Sequence, residues 1–153
     1  MDLPDDIDDL EKIVRILFYS AMVTKDRQSL RPNAYRPQAE KGGVSVMRQS
    51  YCTPTFCKRH GKKIQSPRNN RAYFGFGLLT ADIIRSFDAD IVYTPDIENN
   101  NPYHADIEIG YIPTKGEQLP AEYQLKVDRM VEAAKLYIDP RPDSNKWEGK
   151  AFL

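Results

Sequence analysis

Apolar residues near the start of the chain, Ile7, Leu10, Ile13, Val14 and Leu17, recur at three- and four-residue steps, the spacing of one stripe on a helix. Pro4 suits a first helical turn, where a missing N–H does no harm. Asp5, Asp6, Asp8 and Asp9 then lie at the positive end of the helix dipole. The pattern predicts an N-terminal helix, although the β-rich run Ile16-Leu17-Phe18-Tyr19 can instead end it and open a strand. A second periodic segment lies near the other end. Tyr123, Val127, Met130, Val131, Ala134 and Tyr137 or Ile138 form one face. Pro120 opens this segment and Asp139-Pro140-Arg141-Pro142 stops it, so a long C-terminal helix is expected.

Between these helices the pattern shortens. Val44 and Val46 alternate with Ser45 and Met47, residues 72–79 are aromatic and glycine-containing, and residues 91–93 are β-rich. Ala105, Ile107 and Ile109 alternate with Asp106 and Glu108. These segments read as strands. Thr53-Pro54 is an N-cap followed by proline at the first helical position, which predicts a helix to about Ile64. Thr80 caps a short helix over 81–87 in the same way. Residues 24–43, with Pro32, Pro37, Gly42 and Gly43, have no period and read as a long loop, a feature that is often functional. Gly75-Phe76-Gly77 lacks the lysine of a phosphate loop and the full dinucleotide fingerprint. Glycines within an aromatic strand mark a bulge or close packing. The expected fold is α+β, a single domain over 1–140 with a small, mainly antiparallel sheet, an N-terminal helix and a long C-terminal helix. A tail over 141–153 follows, with Trp147 and Phe152 available to dock. The alternation of some strands with helices keeps a three-layer α/β fold open.

The length, 153 residues, suits one domain. No apolar run reaches about 18 residues, so no membrane helix is expected. The acidic start is unlike a secretory signal, and two cysteines are too few for a disulfide framework. A cytoplasmic setting with both thiols reduced is the expectation. The formal net charge is zero, with 22 Lys+Arg against 22 Asp+Glu, which excludes the strongly basic character of a typical DNA-binding domain. That zero hides segregation. Residues 1–11 hold six acids and no base, residues 41–81 hold eight bases and no acid, and residues 82–122 return to acids.

The basic stretch supplies the first functional reading, a small accessory or binding protein. Lys58, Arg59, Lys62, Lys63, Arg68 and Arg71 form a face for an anionic partner, either nucleic acid or an acidic protein. The competing reading pairs these bases with acidic segments of the same fold. Cys52, Cys57, His60 and His104 can be written as a zinc set, since zinc accepts two thiolates and two imidazoles, but their spacing matches no standard finger and no cofactor is expected. Asp106 lies two residues after His104 on one side of a strand and is placed to orient it. A hydrolytic set Ser45, His104 and Asp106 follows on paper, yet Ser45 lacks the sharp turn of a nucleophile elbow.

Three segments together, Asn33-Ala34-Tyr35-Arg36-Pro37, Gly43-Val44-Ser45-Val46-Met47-Arg48 and Asn101-Pro102-Tyr103-His104-Ala105-Asp106-Ile107, resemble a family of small uncharacterised bacterial proteins. The resemblance covers roughly residues 15–112 and brings no activity with it. It implies that Arg36, Ser45, Arg48 and His104 converge on one site, which is the enzymatic alternative to the basic face. The arrangement is also loosely similar to NAD-using ADP-ribosyltransferase-like toxins, an analogy of pattern alone.

Overall fold

The structure, a computed structural model, describes residues 3–153; Asp2 of the acidic block lies outside them. Among these residues one sheet of six strands carries the fold. The strands are β1 (Lys12–Ser20), β2 (Val44–Arg48), β3 (Arg71–Thr80), β4 (Asp90–Tyr93), β5 (His104–Glu108) and β6 (Lys135–Ile138). Their order is β4-β5-β2-β1-β3-β6, with every neighbour antiparallel. Three α-helices accompany them: α1 (Pro54–Ile64), α2 (Ala81–Ser86) and α3 (Ala121–Ala133). This is the α+β class with an antiparallel sheet.

Two expected elements differ. The N-terminal stripe belongs largely to a strand, because Ile13, Val14, Ile16, Leu17 and Phe18 are all buried in β1. A central strand covered on both faces has no polar side, so its dense apolar run meets helical spacing by crowding. No helix precedes β1 among the described residues; Leu3 and Ile7 are buried in an irregular segment that Glu11 closes by accepting the Asp8 N–H at 2.9 Å. The C-terminal helix stops at Ala133, and residues 135–138 become the edge strand β6. Gly75 lets β6 close on β3: a Cβ there would collide with the Tyr137 carbonyl.

The helix α1 starts where capping dictates. Thr53 Oγ1 accepts the Phe56 N–H at 3.1 Å and Pro54 takes the first helical position. Gly61 brings this helix onto the sheet, since a Cβ would lie 2.8 Å from Ile16 and 3.0 Å from Tyr73. Ile16 pairs with Phe76 and so shares its face. Trp147 and Phe152 of the tail pack on the Phe76 ring at 5.1 and 5.5 Å, so the tail docks on α1's side of the sheet. The opposite face receives Tyr35, whose hydroxyl lies against Gly77, and α3, which packs beside the short turn Pro32–Ala34.

The tail is also fixed electrostatically. Lys58 Nζ, fully buried, meets Asp139 Oδ2 at 2.9 Å and three further oxygens, of Arg141, Ser144 and Lys146. Tyr73 donates its hydroxyl to the same carboxylate at 2.8 Å. Removing one partner of a buried ion pair strands the other charge. Lys58→Met is therefore expected to lower unfolding free energy by about 3–5 kcal/mol, measured by urea denaturation, and adding Asp139→Asn should recover part of the loss. A change below about 1 kcal/mol would place the pair in a solvated setting and contradict this account.

Candidate functional site

Only Ile13 with Arg48 and Val14 with Met47 remain in register between β1 and β2, whereas β1 follows β3 for its whole length. Beyond Val14 the two strands part. The loop that sequence left without a period fills the opening. Asn33 donates its side-chain amide to the Ala21 carbonyl at 3.0 Å, and the Gln38 N–H donates to the Gly43 carbonyl at 3.0 Å. Gly42 and Gly43 both take positive φ, +71° and +75°, and Gly43 sits against the Asp106 side chain. These two glycines allow the tight turn that returns the loop into β2.

A cavity of about 360 Å³ lies in this opening, beneath His60 and Ile64 of α1. That volume falls within the range of small-molecule sites. Val14, Ile16, Phe18, Met22 and Ile64 give it an apolar wall. Its charged lining is one-sided: Arg15, Arg36 and Arg71 contribute cations, and among the described residues no Asp or Glu lines it. These arginines also form no ion pair among the described residues. Arg15 spans the gap, donating Nε to the Ala34 carbonyl at 2.8 Å and Nη1 to the Ser45 carbonyl at 2.9 Å. Burial brings its pKa down to about 10, Tyr35 and Asp106 oppose the shift and the nearby Arg71 charge adds to it. Arg36 donates to the Glu117 carbonyl, and Arg71 lies 4.9 Å over the Phe18 ring.

The polar rim comes from β2, α1 and β5. Ser45 and His104 both line the cavity, as do His60 and Asn101. His104 Nδ1 lies 2.8 Å from the Thr94 carbonyl and 3.0 Å from Thr94 Oγ1. A carbonyl only accepts, so Nδ1 carries the proton, and Nε2 has no protein partner among the described residues. Thr94 Oγ1 donates to Asp106 Oδ2 at 2.9 Å. Asp106 thus orients His104 through Thr94 rather than directly, which corrects the expected contact. His60 is held below the ordinary imidazole value of 6.5, first by burial and then by the charges of Lys63 and His104.

The predicted residues divide sharply. Arg36, Ser45 and His104 share the cavity, but Arg48 does not. It is fully buried elsewhere, bonded to Glu11 at 2.8 Å through two nitrogens and to the Pro4 carbonyl at 2.6 Å. The four-residue convergence is corrected to three. Of the basic stretch, Lys58 is buried in its ion pair, Arg59 donates to the Asn145 carbonyl at 3.0 Å and Lys62 to the Ser144 carbonyl at 3.1 Å. Arg59, Lys63, Arg68 and Arg71 are exposed. Cys52 and Cys57 approach to 3.6 Å between sulfurs, yet among the described residues no three His, Cys, Asp or Glu side chains are grouped to hold a metal ion. No helix among them is long and apolar enough to cross a membrane.

Arg15, Thr94 and the cavity role of His60 escaped the sequence reading. A lone arginine inside Ile13-Val14-Arg15-Ile16-Leu17 was the available signal for the first. The depressed His60 makes a pH prediction. A histidine disfavoured in its charged form contributes stability that is present above the unfolded value of 6.5 and lost as pH falls through the folded midpoint. NMR titration should give His60 a midpoint below 6.5, and Lys63→Gln should raise it; a midpoint unmoved by that change would remove Lys63 as a cause. No protein-family model, curated protein or solved structure matches the chain, and the cavity's own chemistry carries its functional reading.

Proposed function

We propose that this protein binds a small anionic ligand bearing a phosphoryl group in the cavity between β1 and β2. The observation that carries the reading is the lining itself, three unpaired arginines and two histidines with no carboxylate among the described residues. Like charges held together in a half-buried cleft destabilise one another, and a bound anion relieves that repulsion. Guanidinium groups also suit phosphate, because their planar N–H forks make paired charge-assisted hydrogen bonds.

This reading gives less weight to an anionic macromolecule on the α1 face, where Lys58 is buried against Asp139 while Arg59 and Lys62 each hold a tail carbonyl. It keeps the expectation of an anionic partner and moves it to a pocket. Transfer chemistry of the ADP-ribosyltransferase kind receives less support, because the lining offers no acid to stabilise a developing cation.

Calorimetry with pyrophosphate at low salt tests the reading. Arg36→Ala and Arg71→Ala should each weaken binding about tenfold, the cost of one charge-assisted contact. The variant Arg59→Glu should leave it within about threefold. The opposite ranking would return binding to the α1 face. Binding should also tighten as pH falls from 8 to 6, because a bound anion favours the imidazolium form of His60.

A further inference from the structure

We infer that Cys52 and Cys57 form a reversible oxidation site, which a hydroperoxide closes to a disulfide at the start of α1. The two sulfurs lie 3.6 Å apart. Neither cysteine lines the cavity, so the site is independent of the anion-binding reading. Thr53 is the N-cap of α1, so Cys52 stands one residue before the cap and Cys57 four residues after it. Apolar side chains at these two positions pack as a staple that fixes how the chain enters a helix. Here the staple is built from two thiols, a pair that oxidation can make covalent.

The hydrogen bonds give the two thiols different roles. Cys52 Sγ donates to the Arg48 carbonyl at 3.7 Å. A thiol has a single proton, so the proton between the sulfurs belongs to Cys57 and Cys52 accepts it. That bond and burial hold the Cys57 thiol well above its ordinary pKa. Cys57 is also fully buried, so it is neither ionised at neutral pH nor open to a dissolved oxidant. Cys52 is half-buried and sits on extended backbone just outside the helix. It is the thiol that a small oxidant meets. Its side chain is also the one placed to close the gap from 3.6 Å to a covalent bond of about 2.0 Å.

The chemistry balances with a hydroperoxide as the only added reactant. The Cys52 thiolate attacks the outer peroxide oxygen and the O–O bond breaks. The departing alkoxide takes up a proton and leaves as an alcohol (water, for hydrogen peroxide). Cys52 is then a sulfenic acid. The Cys57 sulfur attacks the Cys52 sulfur, the S–O bond breaks, and the hydroxide leaves with the Cys57 proton as water. The two thiols lose two electrons, which the hydroperoxide accepts. A dithiol reductant reverses the bond by exchange.

The test treats the reduced full chain, under native conditions, with a small excess of hydrogen peroxide. Catalase then removes the peroxide, and the chain is denatured, alkylated with N-ethylmaleimide and read by intact mass. The wild type is expected to lose two hydrogens, take up no maleimide and regain both thiols with dithiothreitol. Cys52→Ser keeps a donor for the Arg48 carbonyl, and its Cys57 should oxidise about tenfold or more slowly than the wild-type pair. Cys57→Ala should stop at the Cys52 sulfenic acid, trapped by dimedone. The wild-type and Cys52→Ser results decide the matter even where Cys57→Ala fails to fold. Wild-type thiols that stay alkylatable, oxygen addition without loss of two hydrogens, a disulfide formed only between two copies of the chain, or equal rates in Cys52→Ser would overturn the site and leave an apolar staple.

Discussion

The site depends on the separation of β2 from β1 after two paired residues. An antiparallel sheet normally satisfies each inner carbonyl with an N–H from the next strand. Where β1 and β2 part, Arg15 does this instead, donating to the carbonyls of Ala34 and Ser45. One side chain thereby joins the loop, β2 and β1 while keeping a charge in the opening. Leucine or methionine at this position would fill the same space but leave both carbonyls without that donor.

The charges of this molecule fall into two populations. Arg48 with Glu11, Lys58 with Asp139, and Arg85 with Asp9 are joined within the fold at 2.8, 2.9 and 2.6 Å. The acidic start and the basic middle of the chain meet through the first of these. The first two are buried, and buried pairs are weak sources of net stability but costly to break, so they specify which segments lie together. Arg15, Arg36 and Arg71 form the other population, without an ion pair among the described residues, although the Asp106 charge acts on Arg15 and Arg36 acts on Glu117. A net charge of zero conceals this division.

Local chemistry made part of the fold readable. The Thr53-Pro54 start of α1, the alternation in β5 and the glycines of β3 each reflect a contact between near neighbours or a close approach that the residue type itself demands. β1 was misread because a strand buried on both faces shows no period of two. The end of α3 was misread because Lys135–Ile138 leaves the helix for long-range pairing with Gly75–Leu78, which no local pattern records. The site followed the same rule. Ser45 and His104 came from short motifs and sit on paired strands, β2 and β5. Arg48 shares that motif segment, but the final register turns it toward Glu11. Arg15 gained its meaning only when β2 left β1.

The bases that first suggested a nucleic-acid surface still bear on the cavity, at one remove. Lys58, Arg59 and Lys62 bond the tail carbonyls over 141–146, and Trp147 and Phe152 anchor the same tail on Phe76. This clamp fixes α1 along its length against the sheet, where Gly61 permits close contact with Ile16. His60 and Ile64 extend from that helix over the cavity. A site that recognises a ligand through several convergent groups needs each held in place before the ligand arrives, because ordering them on binding would consume affinity. The tail supplies that order on one side and the Thr94 bridge to His104 supplies it on the other. The cavity is therefore held between two parts of the chain distant in sequence, helix α1 and the Thr94–His104 segment, each anchored by polar contacts of its own.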